Sequence, residues 1–194
     1  MPFSPLVERA LRVAARAHRE HCRKASDIPY ITHPAGVALL LVQSGFSDEH
    51  ILAAALLHDV VEDTDWTAED LAGEFPESVV KSVALLTERK RDEEGRPRKW
   101  RDRKEDHLAQ IEQAPVEVRA IVLADKLHNL GTMLFDLECG EPLWPRFHAP
   151  PEEIIWYHRR MIEVASQGDP QLETLAAACT AHVDRLESTV AEKL

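Results

Sequence analysis

The stretch ILAAALLHDVVED, residues 51–63, is the part of the sequence that decides the fold. An apolar helical run in it reaches a His-Asp doublet, and two further acids follow within one turn. Residues four apart share a face of a helix, so His58 would lie over Glu62. By the same spacing, Asp59 would lie over Asp63. Buried imidazole and carboxylate groups are costly unless something neutralises them, and a divalent cation is a common partner for this mixture. The stretch therefore predicts a metal site at the end of a buried helix; the alternative is a solvated helix end whose acids face water.

Length and composition favour one soluble domain over residues 1–194. With 194 residues and 44% hydrophobic content, the chain can form a core without disulfides. Cys22, Cys139 and Cys179 are far apart and form no Cys-x-x-Cys pair, so we expect neither a disulfide framework nor a thiolate zinc site. No apolar run approaches the roughly 20 residues needed to cross a bilayer. We therefore expect a cytoplasmic protein that does not bind a membrane.

The charge of the chain is unevenly distributed. A net charge of -11 argues against a nucleic-acid-binding protein, because phosphate backbones favour a basic surface. Residues 89–104, RKRDEEGRPRKWRDRK, nevertheless hold nine of the 23 Lys and Arg residues and only four acids. A local cationic patch on an acidic protein suits a small polyanionic ligand. The alternative for this basic segment, residues 89–104, is a solvated charged loop.

The order of helix signals predicts an all-α fold of about eight to ten helices. Ser4 and Pro5 form an N-cap and first-turn pair, and Ser47 can cap the central helix. The sequence TAED, which begins at Thr67, has capping-box spacing. No β-type alternation of useful length is present. The predicted helices cover approximately residues 5–22, 34–45, 51–63, 67–73, 79–87, 99–113, 115–134, 152–167 and 170–192.

Two further positions extend the candidate metal site. His33 lies just ahead of the second predicted helix, and Asp125 interrupts an apolar helical stripe in IVLADKLHNL. Asn129 is four residues from Asp125 and so shares its face. An ion pair with Lys126 or another basic neighbour is the alternative interpretation of Asp125. Taken together, two nitrogen and two oxygen donors suit Mn, Fe or Zn with open positions for water. The predicted donors are His33, His58, Asp59 and Asp125.

Four motifs occur in a fixed order along the chain. They are RKASDIPYITHP at residues 23–34, LLHDVVEDT at 56–64, LLTERK at 85–90 and LADKLHNL at 123–130. In these motifs and their spacing, about residues 7–165 resemble the HD-domain alarmone hydrolases of the Rel/SpoT group, in particular the stand-alone small alarmone hydrolases. A bare His-Asp doublet is shared by many phosphohydrolases, whereas the H-D-x-x-E-D-T extension is far more specific. The resemblance implies a single HD-domain helical bundle.

The resemblance also implies roles for individual residues. The metal ligands would be His33, His58, Asp59 and Asp125, holding Mn2+ or another divalent metal. Glu62 and Asp63 would position or deprotonate the attacking water. Arg23 would stack on a guanine and Lys24 would lie near the ligand. Asn129 would hold the ribose or the region of the scissile phosphate. The remaining implied substrate contacts, to the diphosphates, are Lys99, Arg103 and Lys104.

The reaction that the resemblance implies is the hydrolysis of guanosine 3′,5′-bis(diphosphate), ppGpp or pppGpp, to GDP or GTP and pyrophosphate in the stringent response. One alternative is an HD-domain phosphohydrolase for another nucleotide, such as a nucleoside monophosphate or a 2′- or 3′-phosphorylated cofactor like NADPH. A silent nucleotide-sensing module is disfavoured, because no motif residue of the proposed metal site or of the Glu-Asp pair is missing. One departure is Gly131, which stands where an arginine often follows this motif. The sequence leaves homo-oligomerisation open.

Overall fold

The structure is a computed structural model that describes residues 3–24 and 26–191. Within these ranges it is helical, with no strand beyond two isolated β-bridges, Cys22 with Pro29 and Arg91 with Pro97. The predicted all-α fold is therefore confirmed. The end predicted for the last helix, residue 192, lies outside the described residues. Among the helices that the structure describes, none combines the length and apolar character that a bilayer crossing requires.

The chain divides into two compact units, and each is described here by itself. The first ends at Thr87 and the second begins at Glu88. One domain over residues 1–194 therefore stays a prediction. The helices of the first unit are α1 (Pro5–Ala17), α2 (Thr32–Gln43), α3 (Glu49–Leu57), α4 (Val60–Asp63), α5 (Ala68–Glu74) and α6 (Glu77–Leu86).

Helix α3 lies at the centre of the first unit. It packs against α1, α2 and α6, and its residues from Ala53 to Leu57 are almost completely buried. Three consecutive alanines favour the helical conformation and present only methyl groups to the neighbouring helices. Because α3 is packed on several sides, the backbone at its C-terminal end has a fixed position. The residues that follow it, His58 and Asp59, are therefore also positioned by this packing.

The predicted continuous helix over residues 51–63 is wrong at the His-Asp doublet. Helix α3 ends at Leu57, and α4 begins at Val60. The Nδ1 atom of His58 lies 2.7 Å from the carbonyl oxygen of Ala55. In a continuous helix that carbonyl would accept the backbone N–H of Asp59. The imidazole therefore competes for the acceptor that would carry the helix through the doublet.

Helix boundaries were predicted best where a side chain caps them. The Ser4 hydroxyl accepts the Val7 N–H, and Thr67 forms a capping box with Asp70, both as predicted. The predicted cap Ser47 is wrong, because the side chain of the next residue, Asp48, accepts the first free N–H groups of α3. Helix α1 ends at Ala17 rather than near residue 22, and α2 begins two residues before the predicted Pro34.

Up to residue 191, the second unit contains four long helices and two short 3-10 helices, Trp144–Arg146 and Pro170–Leu172. Within it α8 packs against α9 and α10, α9 packs against α10, and α7 packs against α9. Residues 120–124 of α8, Ala-Ile-Val-Leu-Ala, are all buried. The four helices are α7 (Trp100–Glu112), α8 (Val116–Glu138), α9 (Pro151–Ser166) and α10 (Glu173–Ala191).

Candidate functional site

Two imidazoles of the first unit converge on one carboxylate oxygen. The Nε2 atom of His58 lies 3.0 Å from Asp59 Oδ2, and the Nε2 atom of His33 lies 3.6 Å from the same oxygen. His33 and His58 are buried, and their rings meet edge to face with centroids 5.1 Å apart. Helix α2 supplies His33, and the break between α3 and α4 supplies the other two. The structure thus brings together three of the four predicted metal ligands within one unit.

The donors of this cluster fit a cation. A carbonyl oxygen only accepts hydrogen bonds, so Nδ1 of His58 must carry the proton that it shares with Ala55. Nε2 of a neutral His58 then presents a lone pair to the carboxylate of Asp59. Two acceptor atoms 3.0 Å apart require a proton or a cation between or beside them. Imidazole nitrogen together with carboxylate oxygen is a donor set that Mn2+, Fe2+ or Zn2+ accepts.

Tyr30 contacts this cluster, although the sequence did not identify it as a site residue. Its hydroxyl donates to Asp59 Oδ2 at 2.6 Å and approaches Asp63 Oδ2 at 3.5 Å. Burial raises the pKa of Tyr30 well above its usual range, and the negative charge of Asp59 raises it further. The phenol is therefore a permanent donor to Asp59. Its position three residues before His33 was visible in the motif, but nothing in the pattern indicated its partner.

The other predicted residues of the first unit lie on either side of Tyr30. The guanidinium carbon of Arg23 is 5.6 Å from the centroid of the Tyr30 ring, and Lys24 is exposed. On α4, Glu62 is half-buried and Asp63 is exposed. Their roles toward a substrate stay predictions.

In the second unit, Asp125 and Asn129 share one face of α8, as their spacing predicts. The Asn129 side-chain amide donates to Asp125 Oδ1 at 2.6 Å. The ammonium of Lys126 lies 2.7 Å from Asp125 Oδ2. The ion pair that was the alternative interpretation of Asp125 is thus present, while the metal-binding role of this carboxylate stays a prediction.

Two cations of the basic segment hold a buried acid. Glu88 pairs with Arg103 at 2.9 Å and with Lys104, and all three side chains are at least four-fifths buried. Burial raises the pKa of Glu88, but the charges of Lys104 and Arg103 outweigh it, so the pKa lies below its ordinary value. Lys99, which precedes α7, is exposed. Two of the predicted phosphate contacts are therefore paired with a buried acid, whereas the third is exposed to solvent.

Two buried histidines of the second unit were also missed by sequence reasoning. His107 Nδ1 lies 3.0 Å from the hydroxyl of Tyr157, and burial lowers the pKa of His107 to about 4, with the charge of Lys126 as the next cause. Burial lowers the pKa of His158 to about 3, again with Lys126 next. Both imidazoles are therefore neutral at physiological pH. The sequence around a histidine in a helix does not indicate how deeply its side chain is buried.

Comparison with known proteins agrees with the motifs. A family model described as the HD domain matches residues 10–137, which contain every predicted site residue. The chain belongs to the HD-domain family. The predicted resemblance to this family is thereby confirmed.

Relatives share this HD domain over part of their length. The chain is 42% identical over 122 residues to human guanosine-3′,5′-bis(diphosphate) 3′-pyrophosphohydrolase MESH1, a match that covers 60% of this chain and 63% of that protein. It is 40% identical over 129 residues to GTP pyrophosphokinase of Streptomyces coelicolor, covering 66% of this chain and 15% of that enzyme. The matched part of this chain thus covers less than two thirds of either relative.

The fold is also similar to a solved HD-domain structure. That structure is described as a metazoan ortholog of SpoT that hydrolyses ppGpp and plays a role in starvation responses. The TM-score is 0.73 with 28% sequence identity, over 91% of this chain and 94% of the other. The predicted HD-domain helical fold is confirmed by this likeness.

Proposed function

We propose that this HD domain hydrolyses guanosine 3′,5′-bis(diphosphate), either ppGpp or pppGpp, and releases GDP or GTP together with pyrophosphate. The observation that carries the proposal is the convergence of His33 and His58 on Asp59 within the motif LLHDVVEDT. The motif resembles that of the alarmone hydrolases. The name of the human relative, a guanosine-3′,5′-bis(diphosphate) 3′-pyrophosphohydrolase, supports the same substrate.

The proposed metal ligands are two imidazoles and two carboxylates. His33, His58 and Asp59 supply the part of the set that lies in the first unit, and we assign Asp125 as the fourth ligand from its motif. A divalent metal, for which we propose Mn2+, would when bound supply Lewis-acid activation of a water molecule and of the phosphoryl oxygens. The protein contributes the orientation of the donors. His58 is fixed by its bond to the Ala55 carbonyl, which sets the direction of Nε2.

The proposed proton acceptors follow the ligands directly in the chain. Glu62 and Asp63 lie on α4, the turn that begins immediately after Asp59. A carboxylate at this position can take a proton from the attacking water and pass it to solvent or to the leaving group. Asp63 lies close enough to Tyr30 for its Oδ2 to be 3.5 Å from the phenol oxygen that also contacts Asp59. This proximity supports a role beside the metal ligands.

The proposed substrate contacts divide into base and phosphate contacts. Arg23 has a planar, permanently charged guanidinium that can stack on guanine, and it lies over the aromatic ring of Tyr30. Lys24 follows it and would approach the ligand. Asn129 would bind the ribose or the region of the scissile phosphate. Lys99, Arg103 and Lys104 would offset phosphate charge, the last two held in place by Glu88.

Replacement of Asp59 by alanine tests this site. Asp59→Ala removes the oxygen on which both imidazoles converge, so bound Mn2+ and ppGpp turnover should be lost together. Asp65→Ala removes an exposed carboxylate six residues further along the chain and is the matched control. Metal content by atomic absorption and pyrophosphate release are the two measurements. Full metal stoichiometry in Asp59→Ala, with the control equally loaded, would contradict the assignment.

A further inference from the structure

Tyr30 lies at the meeting point of several groups of the first unit. Its ring stacks on His18 with centroids 4.6 Å apart and an interplanar angle of 30°. The ring of His33 approaches it edge to face at 5.8 Å. The guanidinium of Arg23 lies over the ring. The phenol is therefore enclosed by aromatic and cationic neighbours, with its hydroxyl at the carboxylate of Asp59.

The backbone around Tyr30 leaves the ring little freedom. The Tyr30 N–H donates to the carbonyl of His21 at 2.9 Å, and the Arg23 N–H donates to the carbonyl of Ile28 at 2.8 Å. These bonds close a short hairpin ahead of α2. His18 is itself held, since its Nδ1 lies 3.1 Å from Nδ1 of His21. The ring is thus positioned by its own backbone and by a stacked imidazole that cannot rotate freely.

The hydroxyl bond to Asp59 has the length of a charge-assisted hydrogen bond. The distance from the Tyr30 hydroxyl to Asp59 Oδ2 is 2.6 Å, within the range for O–H donors on a carboxylate. It reaches the same oxygen that faces Nε2 of His58 and Nε2 of His33. A carboxylate can rotate about its Cβ–Cγ bond, so a fixed donor at one oxygen selects one orientation.

We propose that Tyr30 is a positioning residue whose hydroxyl holds the Asp59 carboxylate in the orientation that binds the divalent metal. This inference rests on the proposed function, because it takes Asp59 as a metal ligand. Hydrogen bonds to ligating carboxylates typically change metal affinity or activity about 10- to 100-fold. Asp63 Oδ2 lies 3.5 Å from the same hydroxyl, so the phenol lies beside both a proposed ligand and a proposed proton acceptor.

The test is the Mn2+ affinity of Tyr30→Phe, measured by titration calorimetry on the full chain without nucleotide. Phenylalanine keeps the ring that stacks on His18 and removes only the hydroxyl. We expect the dissociation constant for Mn2+ to rise about 10- to 100-fold. Because no nucleotide is present, the result does not depend on which substrate the wild type hydrolyses, and ppGpp turnover of the wild type judges the proposed function separately.

The chain contains a matched control, since it has two tyrosines. Tyr157 is buried in the second unit, and its hydroxyl lies 3.0 Å from Nδ1 of His107. Tyr157→Phe is therefore the same chemical change at a buried hydroxyl of the second unit. It should leave Mn2+ affinity within about twofold of the wild type. Equal affinity in Tyr30→Phe and the wild type, or equal losses in both variants, would overturn the inference.

A second measurement keeps the inference testable if Tyr30→Phe folds poorly. In the Tyr157→Phe background, 3-fluorotyrosine incorporation labels Tyr30 alone. The fluorine resonance should broaden beyond detection when paramagnetic Mn2+ binds and should stay sharp with Mg2+. A Tyr30 resonance that remains sharp at saturating Mn2+ would place the ion away from Asp59 and overturn the inference.

Discussion

His58 shows how one side chain can shape both the backbone and the site. Its Nδ1–H is donated to the carbonyl of Ala55, at the point where α3 stops. The other ring nitrogen faces Asp59. The same hydrogen bond therefore interrupts the helix and fixes the tautomer that leaves Nε2 available as a metal donor. The Asp63 N–H still donates to the carbonyl of Asp59 at 2.9 Å, so these two acids keep their spacing of one helical turn.

The role of Glu62 can be separated from metal binding by Glu62→Gln. The amide keeps the size of the side chain but cannot accept a proton. We expect Mn2+ content and the KM for ppGpp to stay near wild-type values while kcat falls about 10²- to 10⁴-fold. Glu69→Gln, at an exposed position of α5, is the matched control. A Glu62→Gln variant that loses its metal would show that Glu62 is a ligand instead.

For individual residues, the sequence predicted which side chains belong to the candidate site better than it predicted their contacts. Spacing placed Asp125 and Asn129 on one face, which the hydrogen bond between them confirms. The contact of Tyr30 with Asp59 joins residues 29 positions apart. Such a contact depends on how a hairpin packs against the end of α3, and no local periodicity encodes it. Tyr30 was missed for this reason.

Several arginines of the basic segment are paired with acids, so the positive charge of this element is smaller than its composition suggests. Arg96 pairs with Asp92, Arg98 pairs with Asp106, and Arg101 pairs with Glu105 and Glu153. Several of these acids lie outside residues 89–104, so counting charges within the segment overestimated its positive potential. The helical elements themselves were predictable, because capping side chains and prolines mark many of their ends. The break at His58 was not, because it depends on a side-chain bond to the backbone.

Lys99 gives the cleanest test of phosphate binding by this segment. Removing Arg103 or Lys104 would also take from the buried acid Glu88 one of its two cations, so a change in stability would accompany any change in binding. Lys99→Ala avoids this, because Lys99 is exposed. We expect weaker ppGpp binding with a shallower dependence on salt, because one screened charge contact is lost.

The matched control for Lys99→Ala is Lys81→Ala, at an exposed position of α6. It removes the same charge from the first unit and should leave the salt dependence of binding as in the wild type. Identical salt dependence in both variants would mean that Lys99 is only a solvated side chain. Isothermal titration with a substrate analogue at several salt concentrations provides the measurement.

For the molecule as a whole, the buried histidines predict a loss of stability in acid. An unfolded imidazole titrates near 6.5, whereas burial lowers the pKa of His107 to about 4 and that of His158 to about 3. At pH values between the lowered pKa and 6.5, each of these histidines is protonated in the unfolded chain and neutral in the folded unit. The free energy of unfolding should therefore fall as pH drops below about 6.5, by about 1.4 kcal/mol per histidine at pH 5.5 relative to pH 8.

His158→Leu should weaken this dependence, because it removes one of the two groups. Urea unfolding between pH 8 and pH 5 measures it, and the proton uptake on unfolding should fall by about one near pH 5. At pH 8 the difference in the free energy of unfolding between His158→Leu and the wild type reports the change in packing alone. Parallel stability profiles of the two proteins across this range would contradict the burial of a neutral His158.

We propose that this HD domain removes both 3′-phosphates of ppGpp together, as pyrophosphate. The most direct measurement incubates the purified protein with Mn2+ and ppGpp in ¹⁸O-labelled water and identifies the products by mass spectrometry. We predict GDP and pyrophosphate in equal amounts, with the label in pyrophosphate and no turnover after chelation of the metal. Orthophosphate as the released product, or unchanged ppGpp in the presence of folded, metal-loaded protein, would contradict the claim.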